Sequence, residues 1–147
     1  MLGKHCIKTW SSTQGAVALS SAEAEFYAMI EAIVRAKGML NVMKEIGFVI
    51  ADQIQLFTDS SAAKSFVSRR GLGKMKHLEI RDLWLQREVG LGKVIVHKVE
   101  GPRNPADLMT KFLKRWEIEL RLKLMAIRVK WSDDSKLDDQ INSLLSR

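Results

Sequence analysis

The sequence predicts an α/β domain whose helices cross between the strands of one sheet. Strand-like runs at 5–12, 54–58 and 94–99 are separated by helix-periodic runs at 20–46, 60–66 and 77–89, with another helix opening at 104. The chain has 147 residues, 46% hydrophobic and 28% charged, enough for one ordinary domain with a real core.

The first strand is expected at 5–12, where Ile7, Thr9 and Trp10 alternate with polar residues. It begins almost at once, which reads as a chain cut at its front. Ser20, with Glu23 three positions on, forms a capping-box pattern that opens a long helix. Its apolar stripe is Phe26, Met29, Ile30, Ile33, Met39, Leu40 and Met43, and Gly47 can close it. Ile54, Leu56 and Phe57 form a short strand ending at Thr58-Asp59, where Asp59 or Ser60 can cap a helix running through Phe66.

Helical character resumes from about His77 to Val89, with Gly90 and Gly92 as stops. Val94 to Val99 is a β-branched strand. Gly101-Pro102 then turns the chain toward Asn104, which caps a helix with Pro105 at its first position. Beyond Lys114, Trp116, Leu120, Leu124 and Ile127 fit a helix better than a strand, and Leu137, Ile141, Leu144 and Leu145 form a last apolar series. The expected division is a domain over 1–113 and a helical tail over 114–147.

A net charge of +7 favours a polyanionic partner. The single Cys6 cannot form an internal disulfide, and it reads as a buried thiol because no base partner is evident. No apolar run approaches the roughly 20 residues of a membrane span, and the first residues lack the apolar core of a secretory signal. A membrane protein and a disulfide scaffold are thereby excluded as readings, leaving a cytoplasmic or nuclear location as the expectation.

Three acidic residues stand out. Glu25 adjoins the apolar stripe and is expected to emerge beside the core, whereas Glu23 is explained as the capping partner of Ser20. Asp59 directly follows a strand, at the carboxyl edge where α/β sheets hold ligands, and Ser60 can take the capping role in its place. Asp107 falls in the first turn after Asn104-Pro105, where the helix dipole alone would favour an acid. Carboxylates drawn together to about 4 Å repel by roughly 4 kcal/mol per pair at an effective dielectric of 20, so a cluster of the three demands cations. Magnesium is the natural choice, and a pair of such ions suits phosphodiester hydrolysis.

Lys64, Arg69, Arg70, Lys74 and Lys76 carry no intervening acid and can follow a phosphate backbone; a solvated loop is the competing reading. His5, His77 and His97 lack metal-ligand spacing and read as structural, as Trp84 reads as core.

At these residues the chain resembles the ribonuclease H domain that ends the polyprotein of copia-type retrotransposons. The matching pieces are Val17-Ala18-Leu19-Ser20-Ser21-Ala22-Glu23-Ala24-Glu25-Phe26, Thr58-Asp59-Ser60-Ser61-Ala62-Ala63, Lys76-His77-Leu78-Glu79-Ile80-Arg81 and Asn104-Pro105-Ala106-Asp107-Leu108-Met109-Thr110-Lys111. Four motifs in register span about residues 5 to 113.

The resemblance implies a ribonuclease H-like mixed sheet flanked by helices. It also implies magnesium-dependent cleavage of RNA in RNA/DNA hybrids, with Glu25, Asp59 and Asp107 as metal-holding catalytic residues. The family's first strand carries a further metal-bridging aspartate, yet nothing acidic precedes Glu23 here. The first strand and most of the second are expected to be lacking. Little or no nuclease activity is therefore expected of this chain alone, and a protein partner covering the exposed sheet edge, or a non-catalytic binding role, becomes the alternative.

Overall fold

The computed structural model describes residues 5–15, 17–71, 83–129, 141 and 143. It divides into two units, one formed by Thr13–Val99 and the other by Met1–Ser12 with Glu100–Arg147. Among the described residues the architecture is α/β, with four helices and a two-stranded parallel sheet.

In the Thr13–Val99 unit, Ser20 caps helix α1 (Ser21–Glu45) by accepting the Glu23 N–H at 3.2 Å. The Glu23 carboxylate reaches back to the Leu19 N–H at 3.0 Å, so the expected cap forms with its return bond one residue earlier. At the other end Gly47, at φ +90°, lets its own N–H reach the Lys44 carbonyl and the Phe48 N–H reach the Met43 carbonyl.

The strands β1 (Ile54–Thr58) and β2 (Val94–Lys98) pair in parallel, Ile54 opposite Val94 and Thr58 opposite Lys98. Parallel strands need a crossover, and here it carries α2 (Ser61–Val67) and α3 (Trp84–Gly90). The helix expected from His77 falls partly outside the described residues, which resume at 83, and α3 accounts for its described part. It closes on Gly92, φ +70°, with Leu91 between the helix and the stop.

One sheet face builds the core. Val94 and Val96 meet Phe26, Met29 and Ile33 of α1, Ala63, Phe66 and Val67 of α2, and Leu85 of α3. Phe26 and Phe66 pack edge-on, ring centroids 4.8 Å apart. The stripe expected along α1 is buried only as far as Ile33, and Met39, Leu40 and Met43 are half-buried. The 25-residue helix runs about 37 Å, whereas five-residue strands span roughly 16 Å. Its second half outruns the sheet.

Phe57, expected within an apolar strand, is 60% exposed. Period-two alternation puts it on the face opposite Leu56, where it stacks on His97 with centroids 5.0 Å apart. Lys37 joins α1 to α3 by pairing with Glu88 and lying over the Trp84 ring at 5.0 Å.

The second unit contains two 3-10 turns, Gly101–Arg103 and Pro105–Met109, and helix α4 (Arg115–Leu124). Asn104 caps the segment after it, its Oδ1 accepting the Ala106 N–H at 3.2 Å, but that segment is a 3-10 turn where an α-helix was expected. The strand expected at 5–12 is reduced to a bridge at His5, with the Cys6 N–H bonded to the Met125 carbonyl. Ile7 and Trp10 stay exposed there, and Cys6 is half-buried. A strand needs a continuous ladder of partners, and none runs along this segment among the described residues. Helix α4 confirms helix over strand for the Trp116 series, while of the last apolar series only Ile141, fully buried, is described.

Helix α4 ends in the same two-bond motif as α1, but its left-handed position is Ala126 at φ 56°. An alanine there is strained by roughly 1–2 kcal/mol. Ala126→Gly is therefore expected to stabilise the chain by about 1 kcal/mol in a denaturant titration; a loss of stability would refute the strain. A second expectation concerns acid. The Lys37 hydrogen bond holds the Glu88 carboxyl below the usual range against the opposing effect of burial. A depressed carboxyl contributes stability above its unfolded pKa, about 4.3, and loses it as pH falls through the folded value. Glu88→Gln should flatten the acid limb of a pH-stability curve, and an unchanged limb would show that Lys37 contributes nothing there.

Candidate functional site

The carboxyl end of β1 delivers Thr58, which is buried, and then Asp59, which is half-buried. Thr58 Oγ1 accepts the Ser60 N–H at 3.1 Å, and Ser60 Oγ accepts the Ala63 N–H at 3.1 Å. Capping of α2 thus falls to Ser60. The Asp59 carbonyl is taken by Lys98 Nζ, but among the described residues no hydrogen bond or ion pair reaches the Asp59 carboxylate.

Glu23 is 5% exposed, and its second oxygen accepts from the Tyr27 hydroxyl at 3.3 Å. Its capping role is therefore structural. Glu25, expected to emerge beside the core, lies on the exposed side of α1. Successive helical positions are about 100° apart, so a neighbour of the buried Phe26 need not share its face.

Asp107 belongs to the other unit and is 7% exposed. Its Oδ1 pairs with Lys111 Nζ at 2.8 Å and its Oδ2 with Arg121 Nη2 at 3.4 Å. Arg121, only 2% exposed, also donates to the Asn104, Glu117 and Gly101 carbonyls at 3.0–3.1 Å. Its guanidinium joins both 3-10 turns to α4. Sequence reading missed this residue, whose one signal was an arginine flanked by Leu120 and Leu122.

Within neither unit do the described residues gather three or more His, Cys, Asp or Glu in a position to hold a metal ion. Glu25 and Asp59 share one unit, and Asp107 lies in the other. Bound to Arg121 and Lys111, Asp107 does not fit a magnesium site. A dication about 4 Å from a guanidinium is repelled by roughly 8 kcal/mol at an effective dielectric of 20. Asp59, with its carboxylate open, keeps the chemistry of a hard-cation ligand.

Of the basic run, Arg69 and Arg70 are exposed and Lys64 is half-buried, while Lys74 and Lys76 lie outside the described residues. The Arg69 guanidinium sits 5.0 Å from the Phe66 ring centroid. Two cations therefore stand in solvent immediately after α2.

The two aspartates are expected to respond differently to the same change. Asp107→Asn leaves a buried guanidinium uncompensated and should cost about 3 kcal/mol, whereas Asp59→Asn should stay within about 0.5 kcal/mol. Urea unfolding of both variants measures this, and equal small losses would show that Arg121 does not depend on Asp107.

Over 122 residues, 81% of this chain, the sequence is 29% identical to the retrovirus-related Pol polyprotein from transposon TNT 1-94 of Nicotiana tabacum. The chain spans 9% of that polyprotein's length. No protein-family model matches it, and no solved structure matches it. The likeness to the tobacco polyprotein supports a retrotransposon Pol origin for the chain.

Proposed function

We propose that this chain is a ribonuclease H-like segment of copia-type retrotransposon Pol ancestry that binds nucleic acid without hydrolysing it on its own. The observation that carries the reading is the neutralisation of Asp107 by Arg121 and Lys111. A carboxylate so occupied does not serve as the third ligand of a two-ion site, and two-ion chemistry without it loses the symmetric hold on attacking and leaving oxygens. Glu25 and Asp59 remain as the acids that the resemblance would assign to magnesium.

Binding is supported by the charge of +7 and by the exposed Arg69 and Arg70, with Lys64 beside them in sequence. An RNA/DNA hybrid is the ligand the resemblance favours. A second reading, a protein partner, is favoured by the outer edge of β1. Among the described residues its backbone bonds go only to the β2 side, so an incoming strand could pair with it.

The test is a labelled RNA/DNA hybrid incubated with the chain and magnesium. No cleavage is expected, together with binding that weakens steeply between about 50 and 200 mM salt. Robust turnover abolished by Asp59→Asn would overturn the non-catalytic reading. Binding that is absent or indifferent to salt would remove the nucleic-acid reading and leave the protein partner.

A further inference from the structure

We infer that Gln86 is a positioning residue that holds Arg69 and Arg70 in place for phosphate contact, an inference that rests on the proposed binding of nucleic acid. Gln86 lies on α3 and is 8% exposed. Its Oε1 accepts the Gly71 N–H at 2.9 Å, while Nε2 donates to the Gly71 carbonyl at 3.1 Å and to the Phe66 carbonyl at 3.0 Å. Both amide hydrogens are used, and the oxygen is used as well. A side chain that binds the N–H and the C=O of one residue imitates a strand neighbour.

The three bonds clasp the chain at Phe66 and again at Gly71, the two ends of the stretch that carries Arg69 and Arg70. Gly71 sits at φ +84°, a conformation that costs glycine little and other residues more. Arg69 is further tethered through its guanidinium over the Phe66 ring. The Ser68 hydroxyl closes the last turn of α2 just before Arg69, donating to the Lys64 carbonyl at 2.9 Å. A turn held in one shape lets both guanidiniums reach phosphates together, and without the clasp fewer phosphates are neutralised. Gln86 therefore contributes to binding without touching the ligand.

The experiment measures the affinity of the full chain for a short fluorescein-labelled RNA/DNA hybrid across a salt series. The Arg69→Gln, Arg70→Gln double variant should lower the slope of log affinity against log salt by about one to two. Gln86→Leu should produce the same loss, and should produce none when added to the double variant. Gly71→Val, which breaks the clasp from the exposed side, should reproduce it, and Gly71→Asn, which tolerates positive φ, should keep the wild-type slope. Thermal melts confirm that each variant is folded; should Gln86→Leu fail to fold, the two Gly71 variants decide the matter. Folded Gln86→Leu or Gly71→Val with an unchanged slope, even with weaker affinity, would overturn the inference while leaving the binding reading intact. Wild-type chain that shows no salt-dependent binding would instead overturn the underlying reading.

Discussion

The edge-on contact between Phe26 and Phe66 is what the placements in the Thr13–Val99 unit depend on. It holds α1 against α2 with both rings almost wholly buried above Val94 and Val96. Such a pair contributes about 0.5–1.5 kcal/mol beyond its buried area, and losing either ring from a core costs about 3–5 kcal/mol. With that joint in place, the start of α2 sits at the carboxyl end of β1, which is why Asp59 stands at the rim of the sheet. The Phe66 carbonyl and ring also anchor the clasp that leads to Arg69 and Arg70.

The two candidate aspartates show how surroundings decide what one side chain can do. Asp59 follows a strand, leaves the capping to Ser60, and keeps its carboxylate clear of described partners. Asp107 is enclosed beside a guanidinium that has no other carboxylate among its described bonds. A buried arginine without a counter-charge is strongly unfavourable, so the pair is better seen as one structural unit than as a ligand waiting for a cation. That balance is the reason for proposing binding in preference to hydrolysis.

Much of the fold was legible in short stretches. Ser20, Ser60 and Asn104 each announce a cap, and each accepts the backbone N–H it should. The strands at Ile54–Thr58 and Val94–Lys98 follow from β-branched and apolar runs bounded by polar turns. Among the described residues the strand expected at 5–12 did not form as a ladder, because strand propensity alone does not supply the neighbouring backbone that a ladder needs. Phe57 misled for a related reason: composition marks it as core, but alternation places it outside. Arg121 was invisible, since a cation within an apolar helical series reads as a surface residue until its acceptors are known.

What the chain determined by itself is its local grammar: where helices are capped, where glycines such as Gly47 close them, and which runs extend. Those outcomes are settled by hydrogen bonds and sterics among residues a few positions apart. The tertiary structure alone decided that Asp107 belongs to Arg121, 14 positions away, and that Gln86 clasps Gly71 across 15. Such pairings arise because burial strips water from a charge or an amide and obliges it to find a partner wherever the packing has brought one.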